Sequence, residues 1–179
     1  MGRLADWKIR GTGEFLAWLK VLESSVLYAT IIVTFGMQVA RVDGQSMDPT
    51  LKDQDRLVVN KLAYHLGEPQ PGDVVMMRYP ADPDKSFVKR MIAREGDTVR
   101  IVNGQVWVNE QIIPAPYVTG EHQSYDDWGP EVIPDGYCFV LGDNRSNSSD
   151  SRIFGFVPKK YIIAKVQLRW WPLSAATLF

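Results

Sequence analysis

A mainly β fold preceded by one N-terminal membrane helix is the class that three observations predict. Ser24 to Ala40 is a run of 17 residues without a formal charge. After Arg41, short β-branched and apolar runs bounded by Gly and Pro follow one another with no long helical period and no internal repeat. Two of those runs are joined by Asn103-Gly104, a dipeptide that favours the tight turn of a β-hairpin.

The uncharged run, extended back to Val21, admits only Glu23 and is near the lower length limit for crossing a bilayer. Arg3, Lys8, Arg10 and Lys20 precede it, which by the positive-inside rule keeps the N-terminus cytoplasmic. The expected division is a cytoplasmic or interfacial segment over 1–20, an anchor over 21–40 and an extracytoplasmic β-domain over 41–179. A cleavable signal peptide fits poorly, because Gln38 and Val39 before Ala40 offer no small-x-small pair. A buried core helix is the plain alternative. Phe15, Leu16, Trp18 and Leu19 suggest a helix lying at the membrane interface, or a simple extension of the anchor.

Strands are expected at Arg56 to Leu62, Asp73 to Tyr79, Thr98 to Val102 and Gln105 to Val108. Two more are expected around Cys138, after the turn Pro134-Asp135-Gly136, and at Ile162 to Trp170 as a closing strand. Glu121 to Asp135, rich in acids, Pro and Gly, reads as a surface loop.

Composition narrows the function classes. With 179 residues the chain holds one ordinary domain plus an appendage, and 45% hydrophobic residues argue against global disorder. A formal net charge of −1 leaves no electrostatic case for nucleic acid. Cys138 is the single cysteine, which rules out an intrachain disulfide and reads as a buried apolar side chain. With only His65 and His122 besides, a structural zinc site is not expected, and no metal or cofactor is implied.

The chemistry lies in two separated segments. Ser46 sits in Gly44-Gln45-Ser46-Met47-Asp48-Pro49, a tight-loop sequence, and Phe87-Val88-Lys89-Arg90-Met91-Ile92 begins 41 residues later. A serine hydroxyl needs a base to become a nucleophile. Lysine can be that base only where desolvation draws its pKa down from about 10.4. In a strand, Phe87, Lys89 and Met91 share one face, so the amine is expected on an apolar wall. A turn serine and a surface lysine are the bland alternatives. A Ser-His-Asp triad would need His65 or His122 in a motif, and neither is in one.

With Gly72-Asp73-Val74-Val75 between these segments and Gly142-Asp143-Asn144-Arg145-Ser146-Asn147-Ser148-Ser149-Asp150-Ser151-Arg152 after them, the chain resembles the type I signal peptidases of bacteria. The resemblance runs from the anchor to about Lys160 and rests on four segments in the family's order. It implies an antiparallel β-sheet catalytic domain with a smaller inserted β-region at about 103–134. It implies Ser46 as nucleophile, Lys89 as general base, an Asp150–Arg152 ion pair beneath the site and a contact from Ser148 that orients the lysine. Val42, Gly44, Met47, Phe87 and Val88 would line shallow clefts for small residues of the substrate, although core packing is an equal reading for Val88. An extended peptide would lie beside the strand carrying Val88 and Lys89. Some family members carry a serine hydroxyl two positions before the nucleophile; this chain has Gly44, which leaves the second oxyanion donor unassigned.

The implied partners are signal-peptide-bearing preproteins and membrane lipid, at the bacterial cytoplasmic membrane with the catalytic domain on the outer face. Trp170, Trp171, Pro172 and Leu173 add an aromatic group suited to the interface. Two other functions remain to be weighed. Self-cleaving serine–lysine repressors share the dyad, yet no helix-turn-helix precedes Ser46. A catalytically silent, anchored peptide-binding or scaffold β-domain would have little use for both Ser46 and Lys89.

Overall fold

A computed structural model describes residues 3–31 and 36–179. The chain divides into an N-terminal unit, Met1–Met37, and a second unit, Gln38–Phe179. The first contains one helix, α1 (Arg3–Ile31). At about 1.5 Å per residue it is long, but Glu14, Lys20, Glu23 and several hydroxyls dilute it. Ser24 and Ser25 Oγ both donate to the Val21 carbonyl. Among the described residues no helix is long and apolar enough to cross a membrane. Phe15, Trp18, Leu19 and Leu22, spaced to share one face, are all exposed. Of the expected anchor, residues 32–35 lie outside the described residues, and Met37 to Ala40 are not helical. They belong to strand β1 (Met37–Arg41), so the β-domain begins earlier than expected.

The second unit continues with β2 (Arg56–Asn60), α2 (Ala63–Leu66), β3 (Val74–Tyr79) and β4 (Asp82–Arg94). Then come β5 (Thr98–Val102), β6 (Gln105–Val108), β7 (Gln111–Ile112) and β8 (Trp128–Val132). The chain ends with β9 (Tyr137–Leu141), α3 (Ser151–Phe154), β10 (Val157–Pro158), β11 (Ile162–Trp171) and β12 (Thr177–Leu178). The larger sheet runs β1-β2-β11-β3-β4-β9-β10, with β12 beside β11. Its pairings from β2 through β10 are antiparallel. The smaller sheet runs β7-β6-β5-β8 and leaves the chain between β4 and β9.

The inserted region therefore starts at β5, not at Asn103. The reason is the hairpin itself: Asn103 and Gly104 both take positive φ (48° and 73°), and the two strands they join must belong to one sheet. A second departure concerns Glu121 to Asp135. It is not a plain loop but carries a 3₁₀ turn at Gly120–His122 and strand β8. Pro130 is accommodated within β8 because that strand is an edge and need not donate on its outer side.

Three apolar clusters hold the unit together. One gathers Val42, Met47, Leu51, Leu57, Val59, Val74, Ala164 and Val166 under the Ser46 loop. Another joins Ile92, Ala93, Phe139 and Leu141 of the larger sheet to Val99, Ile101, Val106 and Ile133, so it fastens the insert to β4 and β9. The third packs Val75, Met77, Met91, Cys138, Val140, Val157 and Ile162. Cys138 is fully enclosed there, and burial pushes its thiol up to about 12, which makes it inert.

Candidate active site

Ser46 is held by a loop anchored at both ends. Val42 N donates to Asp55 O at 2.8 Å and Gln54 N to Val42 O at 3.0 Å. Gly44, at φ +97°, donates its N–H to Asp53 Oδ1, a conformation that a side chain at this position would strain. Beyond the serine, the buried side chains of Met47 and Leu51 root the loop in the core. The next layer comes from far along the chain. Asn144 N donates to Ser46 O at 3.1 Å, and Asn144 Nδ2 to Gln45 O at 3.1 Å. Arg169 of β11 donates to Thr50 O and Asp55 Oδ2.

Lys89 lies in the middle of β4 with its side chain on the same apolar face as Met91, as strand alternation requires. It is 2% exposed, and its Nζ is 2.6 Å from Ser46 Oγ. The Phe87 ring stands 5.2 Å from the amine. Among the described residues no carboxylate pairs with it. Burial lowers its pKa to about 8, with the Asp150 and Asp143 carboxylates opposing that shift and the Arg152 charge adding to it. At that value an appreciable fraction of the amine is neutral near physiological pH, and a neutral amine can take the serine proton.

Both neighbouring carboxylates are satisfied elsewhere. Asp143 Oδ2 accepts from Arg90 Nη2 at 2.7 Å and Oδ1 from Nε at 2.9 Å. Asp150, fully buried, accepts a bidentate pair from Arg152 at 2.9 Å on each side and also the Gly142 N–H. The ion pair expected beneath the site is thus formed. The contact expected of Ser148 is not. Its hydroxyl is buried without a hydrogen-bond partner, Lys89 included; it and the Ser46 carbonyl both lie beside Gly142. A side chain at position 142 would collide with both, which is why a glycine stands there.

A cleft of about 310 Å³ opens over the pair. Residues 41–47 form one wall and 86–89 the other, with Asn147 and Ser149 at the rim. Val42, Gly44, Met47, Phe87 and Val88 all line it. Val42 and Met47 are also buried core residues, and Val88 packs on the same cluster, so the cleft floor and the core are one layer. Phe87 stacks on Tyr79 at 4.6 Å. On β4, pairing with β9 begins only at Arg90, while β3 pairs back to Asp82. The side of β4 facing away from β3 therefore has no β9 partner along 82–89.

Several residues of the site carry contacts that the sequence reading did not assign to them. Arg90 follows Lys89 but gains meaning only through Asp143, 53 residues away. Ser151 Oγ accepts from Val140 N inside the core. Gly72 and Asp73 act as a strap on β4: Gly72 O accepts from Arg90 Nη1 and Asp73 O from Met91 N. His122, read as part of an acidic loop, lies with Nε2 3.6 Å from Asp48 Oδ2 beside the Ser46 loop.

The larger sheet is antiparallel from β2 through β10 and sets a serine hydroxyl against a buried lysine, an arrangement suited to hydrolase chemistry, and comparison with known proteins gives the family. The family model described as signal peptidase, peptidase S26, matches residues 15–171. The chain belongs to that family. It is 37% identical over 166 residues to signal peptidase I of Leptolyngbya laminosa, covering 87% of this chain and 79% of that one. It is 36% identical over 171 residues to signal peptidase I S of Bacillus subtilis, covering 90% and 91%. Among solved structures, a signal peptidase I from Enterococcus faecalis superposes with a TM-score of 0.51 at 26% identity, over 56% of this chain and 98% of that chain.

Proposed function

We propose that this chain is an endopeptidase that removes signal peptides from exported preproteins, with Ser46 as nucleophile and Lys89 as general base. The observation that carries the reading is the 2.6 Å approach of Nζ to Oγ at a lysine that is 2% exposed and, among the described residues, has no carboxylate partner. Neutral Lys89 takes the Ser46 proton as Oγ attacks the scissile carbonyl. The Ser46 N–H is the expected donor to the oxyanion. The lysine ammonium then gives its proton to the departing amine, and water, activated by the same amine, hydrolyses the acyl-enzyme.

The substrate lies extended in the cleft, adding a strand to the open side of β4 between 82 and 89. Small side chains at the first and third positions before the cut suit a floor already filled by Val42, Met47 and Val88, where a larger group would overpack. Ser148, Asp150 and Arg152 act as support: the ion pair fixes the turn that bonds to Ser46 O, and the Ser148 hydroxyl fills the space beside Gly142. The N-terminal unit holds the enzyme to the bacterial cytoplasmic membrane, N-terminus inside. Its basic residues and the exposed stripe of Phe15, Trp18, Leu19 and Leu22 support that topology.

The test is cleavage of a preprotein carrying an Ala-x-Ala site. Wild type should cut after the second alanine, and Ser46→Ala and Lys89→Ala should each abolish the cut. Substantial turnover by either variant overturns the assignment. Flotation with vesicles should be lost on removal of the first 36 residues; unchanged flotation would move the membrane contact to the β-domain.

A further inference from the structure

One segment of the small sheet reaches all three parts of the site. Between β7 and β8 the chain crosses back toward the larger sheet, and Tyr117 lays its ring over the Arg90 guanidinium at 4.0 Å. Five residues on, the His122 carbonyl accepts from Ser146 N at 3.2 Å and the Glu121 carbonyl from Ser146 Oγ at 3.4 Å, which ties the segment to the 142–152 region. The His122 ring, held by Thr119 Oγ1 at 2.6 Å from Nδ1, faces Asp48 of the Ser46 loop. The segment therefore touches the strand of Lys89, the turn that supports Ser46 and the loop that carries it.

We propose that Tyr117 is a positioning residue for the proton-accepting lysine, acting by clamping Arg90 onto Asp143. This rests on the reading of Lys89 as general base. Arg90 is next to Lys89 in β4 and points to the opposite face, so fixing its guanidinium fixes the peptide unit between them. The guanidinium is pinned on three sides, by the two Asp143 oxygens, by Gly72 O and by the Tyr117 ring. The ring lies against a pair that is nearly closed to water, its side chains 12% and 1% exposed. Without it the pair would loosen, and the Asp143 charge, now less neutralised, would act more strongly on the lysine.

The charges acting on Lys89 come from two elements: Asp143 and Asp150 from the segment between β9 and α3, and Arg152 from α3 itself, while Arg90 on its own strand faces away and bears on the amine only through Asp143. The Ser46 loop contributes only a neutral hydroxyl at contact distance. Asp150 keeps its bidentate partner whatever happens at position 117, so Asp143 is the charge that the clamp controls. Releasing it favours the ammonium form of Lys89, and catalysis then requires a higher pH. Burial raises the pKa of the Tyr117 phenol and outweighs the opposing Arg90 and Arg145 charges, so the phenol stays neutral in the working range. The clamp is thus a ring on a cation and not an ion pair.

The experiment uses the full chain in detergent micelles with an Ala-x-Ala preprotein, measuring kcat and KM against pH and the thermal melt. Tyr117→Ala should lower kcat by about fivefold to tenfold near pH 7, leave KM within about twofold and move the rising limb to higher pH. Tyr117→Phe keeps the ring and should restore both kcat and the limb. A Tyr117→Ala enzyme that melts earlier but retains wild-type kcat and limb would show a purely structural role and overturn the proposal. Equal defects in Tyr117→Phe and Tyr117→Ala would overturn it too, since the ring would then not be the active part. Should Tyr117→Ala fail to fold, Tyr117→Leu keeps bulk without the ring face. It should show the same shifted limb, and an unshifted limb rejects the clamp. Lys89→Ala assayed alongside separates the two claims, because turnover by that variant defeats the general-base reading itself, whatever position 117 does.

Discussion

Two lysines flank Val75 in the larger sheet, and they have opposite fates. Lys165 on β11 is directly opposite Val75, and Val75 is directly opposite Lys89 on β4, so the three stand in one row across three strands. Lys165 reaches Asp73 Oδ1 at 2.6 Å and keeps 30% of its side chain exposed. Burial alone would raise the Asp73 pKa, but hydrogen bonds from Lys165, Gln70 N and Tyr64 outweigh it and hold the carboxylate below its usual range. Lys89 is 2% exposed and, among the described residues, has no carboxylate to itself, because Asp143 is taken by Arg90 and Asp150 by Arg152. Register makes the two lysines equivalent; what each can reach sets one as a strut and suits the other to the proposed role of base.

Exchanging the charge chemistry at the two ends should break the symmetry most sharply. Lys89→Arg should lose about 10³-fold or more in kcat/KM, because arginine remains protonated and cannot accept the serine proton. Lys165→Arg should stay within a few-fold of wild type, since a guanidinium still reaches Asp73. Comparable losses in both variants, measured on the same preprotein, would mean that Lys89 contributes only charge or packing.

Stability should move in opposite directions at the two ends. The folded pKa of Lys89, about 8, is below the 10.5 of an unfolded lysine, so the unfolded state holds more protons between those values. The cost of the buried charge is therefore complete below pH 8 and fades toward 10.5. From that shift it is of the order of 3 kcal/mol. Lys89→Met should raise stability at pH 7 by about 1–3 kcal/mol, an advantage that shrinks as pH rises past 8. Lys165→Met leaves Asp73 short of a donor and should cost about 1–2 kcal/mol. Denaturant unfolding at pH 7 and pH 10 tests both, and a destabilised Lys89→Met at pH 7 would contradict the desolvation account.

The activity profile gives a smaller, graded effect. With a pKa of about 8, kcat/KM should rise roughly tenfold per pH unit below that value and level off above it. A flat profile across pH 6 to 10 would sink the depressed lysine.

Phe87→Ala offers the finest discrimination. The ring both lines the cleft and screens the amine at 5.2 Å, so its loss should shift the rising limb upward by a fraction of a pH unit. It should also admit a larger side chain at the third position before the cut, such as Leu. Because Phe87 is only partly buried on its cluster, the loss of stability should be less than the roughly 3–5 kcal/mol typical of a core Phe→Ala. A full core-sized loss with unaltered preference would make Phe87 a packing residue alone.

Sequence by itself determined the chemical pair and the local structures whose cause is local. Ser46 sits in a loop, Lys89 shares a strand face with Phe87 and Met91, and Asn103-Gly104 makes a hairpin, because turn geometry and strand alternation depend on neighbours along the chain. The enclosed Cys138 follows the same rule, from an apolar run, whereas the Asp150–Arg152 pair was implied by the family resemblance. Only the tertiary structure decided the rest. Strand β1 takes Met37 to Ala40 because an edge beside β2 was available to them. Ser148 faces Gly142 and not Lys89, because the backbone of the 142–152 segment sets its direction. Arg90 meets Asp143 and Tyr117, and His122 meets Asp48, through a packed insert that no local pattern encodes. The depression of the lysine pKa belongs to this second group, since desolvation and the prior commitment of two carboxylates are properties of the assembled interior.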